Sequence, residues 1–211
     1  MAFVGAASVP IVLLTGFFSG AVLSLYLSQF LARLGAAGFV GGTVGLTVTR
    51  EIGPVIAGIM VAARCGSAMA AQIGTMAVTE QIDALKMLSV NPINYLVIPR
   101  VLAGVLMLPV LAVVSMWSGV IGGLVVASTE NIPPTAFIQS VQQFVRPEDF
   151  LNGAIKTPFF GLIIALVACQ QGLKTKDGAV GVGRATTNTV VISMILIYIA
   201  NFVLAKLLYG I

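Results

Sequence analysis

Arg50 and Glu51 stand side by side in the stretch GLTVTREIGPVIAGIMVAARCG, residues 45–66, and Gly53-Pro54 follows almost at once. A cation, an anion and a proline at one level of a helix can do two things. They can lock helices together as an ion pair, or they can line a polar notch. Pro54 has no amide hydrogen, so in a helix the carbonyl of residue 50 loses its partner. Gly53 loosens the same turn. Adjacent residues on a helix point ~100° apart, so the two charges cannot simply face each other and each needs a partner elsewhere.

Other chemistry is excluded by what the chain lacks. It has no histidine, and neither HExxH nor GxSxG occurs, which removes imidazole catalysis, His-based metal sites and the usual activated serine. No GxxxxGK[ST] is present, so this chain does not hydrolyse ATP. The run GAVGVGRATT is glycine-rich but in the wrong order for a phosphate loop. Cys65 and Cys169 fit no metal or redox spacing and read as buried thiols that form no disulfide.

Composition decides the solvent. Of 211 residues, 58% are hydrophobic and only 9% are charged, against roughly 25% charged in a soluble domain. The mean hydropathy is +1.06. The chain reads as one polytopic membrane domain, residues 1–211, with no polar linker dividing it. Its net charge of +4 is too small and scattered for nucleic acid and serves as topology information instead.

A helix needs about 20 apolar residues to cross the hydrocarbon core. Five segments qualify, at approximately 9–31, 38–63, 95–127, 151–171 and 188–209, with Pro99 and Pro109 as expected kink points in the third. Gly16 with Gly20, Gly38 with Gly42 and Gly119 with Gly123 are spaced for close helix approach. Arg64, Lys86, Arg100, Lys174, Lys176 and Arg184 gather on one side, which puts the amino terminus in the cytoplasm and the carboxyl terminus and the 130–150 segment outside. Ser140 in that segment is expected to be reachable from outside. Arg50 lies 14 residues along its span from Arg64, or ~21 Å into a core of ~30 Å. The charged pair is therefore inside the membrane, where it must face protein or a wet cavity.

Residues 74–88, GTMAVTEQIDALKML, place Ala77, Val78, Ile82, Leu85 and Leu88 on one arc of a helix. Thr79, Glu80, Asp83, Lys86 and Met87 fall on the other. Asn91-Pro92 closes it. Two acids and one lysine on the polar arc suit a protein partner better than a membrane surface, where basic residues would dominate.

The string REIGPVIAGIMVAARCGSAMAAQIGTMAVTEQIDALKMLSVNPINYLVIPRVLAGVLMLPVL, with GVGRATTNTVV near the end, closely resembles the MlaE/YrbE family, permease subunits of ABC lipid transporters that work with MCE proteins. The resemblance runs from about Ile11 to Gly210. It implies an all-α membrane protein of five transmembrane helices with a cytoplasmic amphipathic coupling helix between the second and third. It implies a homodimer in the bacterial inner membrane, joined to ABC ATPase subunits that bind the ATP and Mg, with no cofactor in this chain. A hexameric MCE-domain protein caps the periplasmic face, some systems add a STAS-domain protein, and the substrate is phospholipid. Met76, Thr79, Glu80, Gln81, Asp83 and Lys86 would couple to the ATPase. Arg50, Glu51, Pro54, Lys156 and Arg184 would line the lipid cavity, and Lys156, five residues into the fourth span, sits at headgroup depth. Better-known relatives carry an interfacial helix before the first span, and some have an acid where Asn201 stands here. A secondary transporter or channel without an ATPase is the alternative, and a co-eluting ATPase would discriminate. An intramembrane enzyme lacks its nucleophile and base.

Overall fold

The computed structural model describes residues 4–210, and among them no strand is present. Five helices are long and apolar enough to cross a membrane. They are α1 (Val9–Arg33), α2 (Ala37–Val78), α4 (Ile93–Thr129), α6 (Pro147–Leu173) and α7 (Gly178–Tyr209). Two short helices connect them, α3 (Gln81–Met87) and α5 (Pro134–Phe144). All five expected spans exist, and most run beyond the apolar stretches that mark them. α2 continues to Val78 rather than ending near Ala63, because nothing in Ala63–Val78 breaks a helix. α7 begins at Gly178, ten residues ahead of the apolar run that identifies it. Pro109 lies inside α4, and Pro99 falls just after a π turn at Ile93–Val97.

The chain forms two compact units. One is Val9–Ala57 with Pro109–Lys156; the other is Gly58–Leu108 with Thr157–Ile211 and the leading segment through Ser8. α2, α4 and α6 each contribute to both, and the boundaries fall beside Gly58, Pro109 and Pro158.

In the first unit, small residues let helices touch backbone to backbone. A Cβ on Gly20 would overlap the Gly119 carbonyl, and one on Gly122 would overlap the carbonyl of Phe17. Within a bilayer this contact matters because lipid tails are as apolar as leucine, and association depends on van der Waals packing and interhelical hydrogen bonds. The Ser24 hydroxyl adds one such bond, donating to the Gly123 carbonyl at 2.8 Å. α5 seals one end of this unit. Phe137 enters a cluster with Val40, Val44, Val48, Ala127 and Ile132, and Gly41 leaves room for its backbone. Ser140, expected to be accessible, is instead buried and accepts the Gly42 amide at 2.9 Å. Its own helix turns it inward.

In the second unit the later part of α2 packs along α7. Gly66 faces Ile164 and Thr189, while Gly104 and Gly161 lie against each other's backbone. Cys65 and Cys169 are buried and free. The Cys65 thiol sits 3.2 Å from the Ser8 hydroxyl, which also accepts from Arg64.

The continuous amphipathic helix expected over residues 74–88 is divided. Gly74–Val78 ends α2, the chain breaks at Thr79-Glu80 with Glu80 left-handed at φ 58°, and α3 is seven residues long. The Glu80 carbonyl accepts from both Asp83 and Ala84, so one residue closes one helix and opens the next. Ile82 is buried with Ile73, Leu96 and Cys169, and Leu85 packs alongside, as the pattern predicts. Leu88 is 74% exposed instead of buried. It lies past the end of α3, where Ser89 at φ 59° turns the chain away.

Candidate functional site

The α-helical hydrogen bonding of α2 is interrupted where the sequence places its charges. Val48–Ile52 forms a single π turn, in which the Gly53 amide reaches back to the Val48 carbonyl. Pro54 explains it: without an amide hydrogen at 54, the carbonyl at 50 has no donor four residues on, and the extra residue of a π bulge absorbs the mismatch. The turn therefore presents Arg50, Glu51 and one freed carbonyl together.

Helix α6 supplies what they need. Lys156 Nζ donates to the Arg50 carbonyl at 3.0 Å and to Glu51 Oε1 at 2.7 Å. Arg50 Nε donates to Asp149 Oδ1 at 2.7 Å. The other Asp149 oxygen, Oδ2, accepts the Arg146 amide at 2.9 Å. This is one half of a capping box, the third helical residue reaching back to the residue before the helix. Pro147 as the first helical residue and acids at 148 and 149 suit a helix start on two further grounds, the fixed φ and the macrodipole. Asp149 thus caps α6 and holds Arg50 with one carboxylate.

Spacing brings the partners within reach. Asp149 and Lys156 are seven residues apart, nearly two full turns, so both point to the same side of α6. Between them Gly153 lies against the Thr49 carbonyl, where any side chain would overlap it. The close approach at Gly153 lets one helix reach both neighbours on the other. Arg50 and Glu51 diverge, and their partners sit above and below the contact.

Exposure separates the roles. The Lys156 side chain is 0% exposed and the Asp149 side chain is buried, whereas Arg50 and Glu51 keep 38% and 37% open. Lys156 works as an internal fastener, with its charge neutralised and its donors aimed at protein. Arg50 donates through Nε to Asp149 while its side chain stays partly exposed, and its planar guanidinium has a shape suited to phosphate or carboxylate. Pro54 is buried at the turn it creates. Arg184 belongs to the other compact unit, exposed in the second turn of α7.

Asp149 was missed by sequence reasoning, which singled out no acid in the 130–150 segment. Its signal was readable: Pro-Glu-Asp at a helix start, and a seven-residue offset from an intramembrane lysine. The residues expected to couple to an ATPase are also placed. Thr79, Glu80, Gln81, Asp83 and Lys86 are exposed on and beside α3, with Lys86 donating to Asp83 at 2.7 Å, while Met76 is half-buried and packs under Ile82. Met87, assigned to the polar arc, is an exposed apolar residue beside Leu88.

Five helices long and apolar enough to cross a membrane, one of them interrupted by a π turn that displays a charge pair, define a polytopic membrane protein. The family description "Permease MlaE" matches residues 1–207. A Synechocystis protein named "Probable ABC transporter permease protein" is 46% identical over 210 residues, covering 99% of this chain and 80% of its own. A Rickettsia prowazekii protein of the same description is 45% identical over 208 residues, 98% of this chain and 80% of its own. The Arabidopsis thaliana chloroplast protein TRIGALACTOSYLDIACYLGLYCEROL 1 is 38% identical over 206 residues, 97% of this chain and 59% of its own. The chain belongs to the MlaE permease family and is an ABC transporter permease.

The geometry assigns Lys156 a structural role that can be measured. Lys156→Met removes the donor that the Arg50 carbonyl and Glu51 share, and because Glu51 is partly open to solvent the cost falls below the ~3–5 kcal/mol of breaking a fully buried pair from one side. Thermal unfolding in detergent should show a clear loss of stability. Adding Glu51→Gln should restore part of it, since the stranded charge is gone. A single variant that melts like the parent would remove Lys156 from this role.

Proposed function

We propose that this permease moves phospholipid between the bacterial inner membrane and a periplasmic MCE-domain hexamer, driven by separate ABC ATPase subunits. One observation carries the reading. A partly exposed arginine lies on a π turn inside a helix long and apolar enough to cross a membrane, and its backbone carbonyl and neighbouring acid are bonded by a fully buried lysine. An intramembrane charge is expensive, ~2.5 kcal/mol or more even on lenient scales, and is retained where it contacts a substrate or a water-filled path. Phosphate on an otherwise apolar molecule fits Arg50. The Arabidopsis relative bears the name of a glycerolipid, which is in keeping with a lipid substrate.

In this reading Arg50 meets the headgroup, Glu51 and Lys156 hold the turn, and Pro54 creates it. Arg184 contributes at the cytoplasmic start of α7. The permease acts as a homodimer. α7 supports this, because only 11% of its apolar window is buried within one chain against 56% for α2. The face left bare suits a second copy, with the lipid between the two. On the cytoplasmic side α3 seats in the ATPase. Glu80, Gln81, Asp83 and Lys86 offer charge and hydrogen bonds there, and Met87 and Leu88 supply the apolar contact on which such interfaces depend. A STAS-domain protein joins on the ATPase in some assemblies. The amino terminus is cytoplasmic, and the carboxyl terminus and α5 are periplasmic.

Three measurements test this. Arg50→Gln should lower the lipid co-purified per permease several-fold, a larger loss than that in the yield of complex, with some fall in melting temperature because the buried Asp149 carboxylate loses its cation. Full lipid occupancy with a collapsed complex would reduce the arginine to a strut. The double variant Glu80→Lys with Asp83→Lys should fold normally yet lose lipid-stimulated ATP hydrolysis in reconstituted complexes; unchanged hydrolysis would free α3 from coupling. For topology, Thr135→Cys on the exposed face of α5 should react with an impermeant maleimide applied outside intact cells. Reaction only after permeabilisation would invert the orientation.

A further inference from the structure

The helical pattern of residues 74–88 and the fold disagree at one place. No glycine or proline stands between Gly74 and Pro92, and Glu80 and Gln81 are of types that favour helix. The chain nevertheless breaks there, with Glu80 left-handed at φ 58°, a conformation in which the Cβ of an L residue crowds its own backbone. The Glu80 side chain forms no cap bond and lies exposed, so it does not hold the backbone in this state. Ser89, past the far end of α3, is left-handed as well, at φ 59°. Both ends of α3 therefore carry backbone strain, which persists only where the surroundings over-determine it.

What holds α3 is an apolar anchor on one side. Ile82 is buried with Ile73, Leu96 and Cys169, and Leu85 packs beside them. The other residues of α3 are exposed, and the Asp83–Lys86 ion pair lies within the helix itself. A hollow of about 430 Å³ opens alongside, lined by Asp83 and Lys86 on α3 and by Pro92, Leu173 and Thr175 opposite. In one straight helix Ile82 would stand ~13.5 Å along the axis from Ile73, out of reach of this cluster. Burial of one isoleucine is thus set against relief of the left-handed backbone, and the two terms are of the same order.

We infer that Thr79-Glu80 is a two-position joint: bent here with Ile82 seated, and straight in a second state in which α2 runs on through α3 as one amphipathic helix to Leu88. Glu80 sets the joint through its backbone, apart from any contact its carboxylate makes. The periodicity of residues 74–88 suits the straight state and the Ile82 cluster suits the bent one. Two arrangements of one segment, separated by a small free-energy difference, make a switch. With an ATPase seated on α3, as proposed above, nucleotide binding selects between them. The inference rests on that reading only for what drives the joint.

Cys169 reports the state, because it is buried in the cluster that Ile82 completes, and Cys65, buried against Ser8, is the internal standard. The permease with its co-purifying ATPase, in nanodiscs, is pulsed with N-ethylmaleimide and both thiols are followed by mass spectrometry. Glu80→Gly and Glu80→Asn, which accept a left-handed backbone, should slow Cys169 modification several-fold. Glu80→Ile, whose branched side chain resists that backbone, should speed it several-fold. Cys65 should not change, which separates the joint from general unfolding. Trapping the ATPase with ATP and vanadate should shift the Cys169 rate of the parent several-fold, and that of Glu80→Gly much less. Equal Cys169 rates in the parent and Glu80→Gly overturn the joint, whether or not Glu80→Ile folds. So do three variants that behave alike, since loss of the carboxylate is then the cause. If the variants separate as stated but trapping changes nothing, the joint stands and the seating of α3 in the ATPase is wrong.

Discussion

A charge within a membrane span must be satisfied by protein, and in this permease a single ammonium group does most of that work. Lys156 Nζ donates at once to the carbonyl that Pro54 frees and to the carboxylate of Glu51. Everything around the site follows from the need to bring that group to that place. Gly153 must be glycine, or α6 could not lie on the backbone at Thr49. The π turn must form, or Arg50 and Glu51 would not flank the open carbonyl. Asp149 must begin α6, since the helix start and the grip on Arg50 are one carboxylate.

The arrangement divides four charges into two kinds. Lys156 and Asp149 are buried and committed to protein, while Arg50 and Glu51 are partly open. Buried ion pairs are poor sources of stability, because desolvation consumes most of the Coulombic gain. Their retention here is better understood as positioning. Each buried group holds a partly open partner, and Asp149 fixes an arginine whose free side chain would snorkel toward the interface.

The same economy of small residues runs through the rest of the unit. Gly20 on Gly119, Gly122 on Phe17 and Gly41 on Phe137 bring backbones together, which leaves large side chains such as Trp117 and Ile121 to face outward. Tight packing inside and a ridged apolar surface outside are two results of one distribution of residue sizes along α1 and α4.

Much of this was legible in the sequence. Hydropathy and length marked five spans because hydrocarbon tolerates only helices whose backbone groups are paired internally. The proline rule pointed to an unpaired carbonyl at position 50, and the 100° step between neighbours required separate partners for Arg50 and Glu51. The partners themselves were not legible. Asp149 is 99 residues from Arg50 and Lys156 is 105 from Glu51, and no local pattern encodes which helix lies beside which. Nor did periodicity foresee the break at Glu80. Residues 74–88 have a good helical pattern, but Ile82 finds its place against Ile73, Leu96 and Cys169 only if the chain turns first. Ser140 shows the same limit, a polar residue in a polar connection that is drawn inward to cap an amide on another helix. The sequence by itself determined which groups needed satisfying, because that follows from local chemistry and the solvent. Only the tertiary structure decided what satisfies them, because close approach at glycines such as Gly153 selects the neighbours.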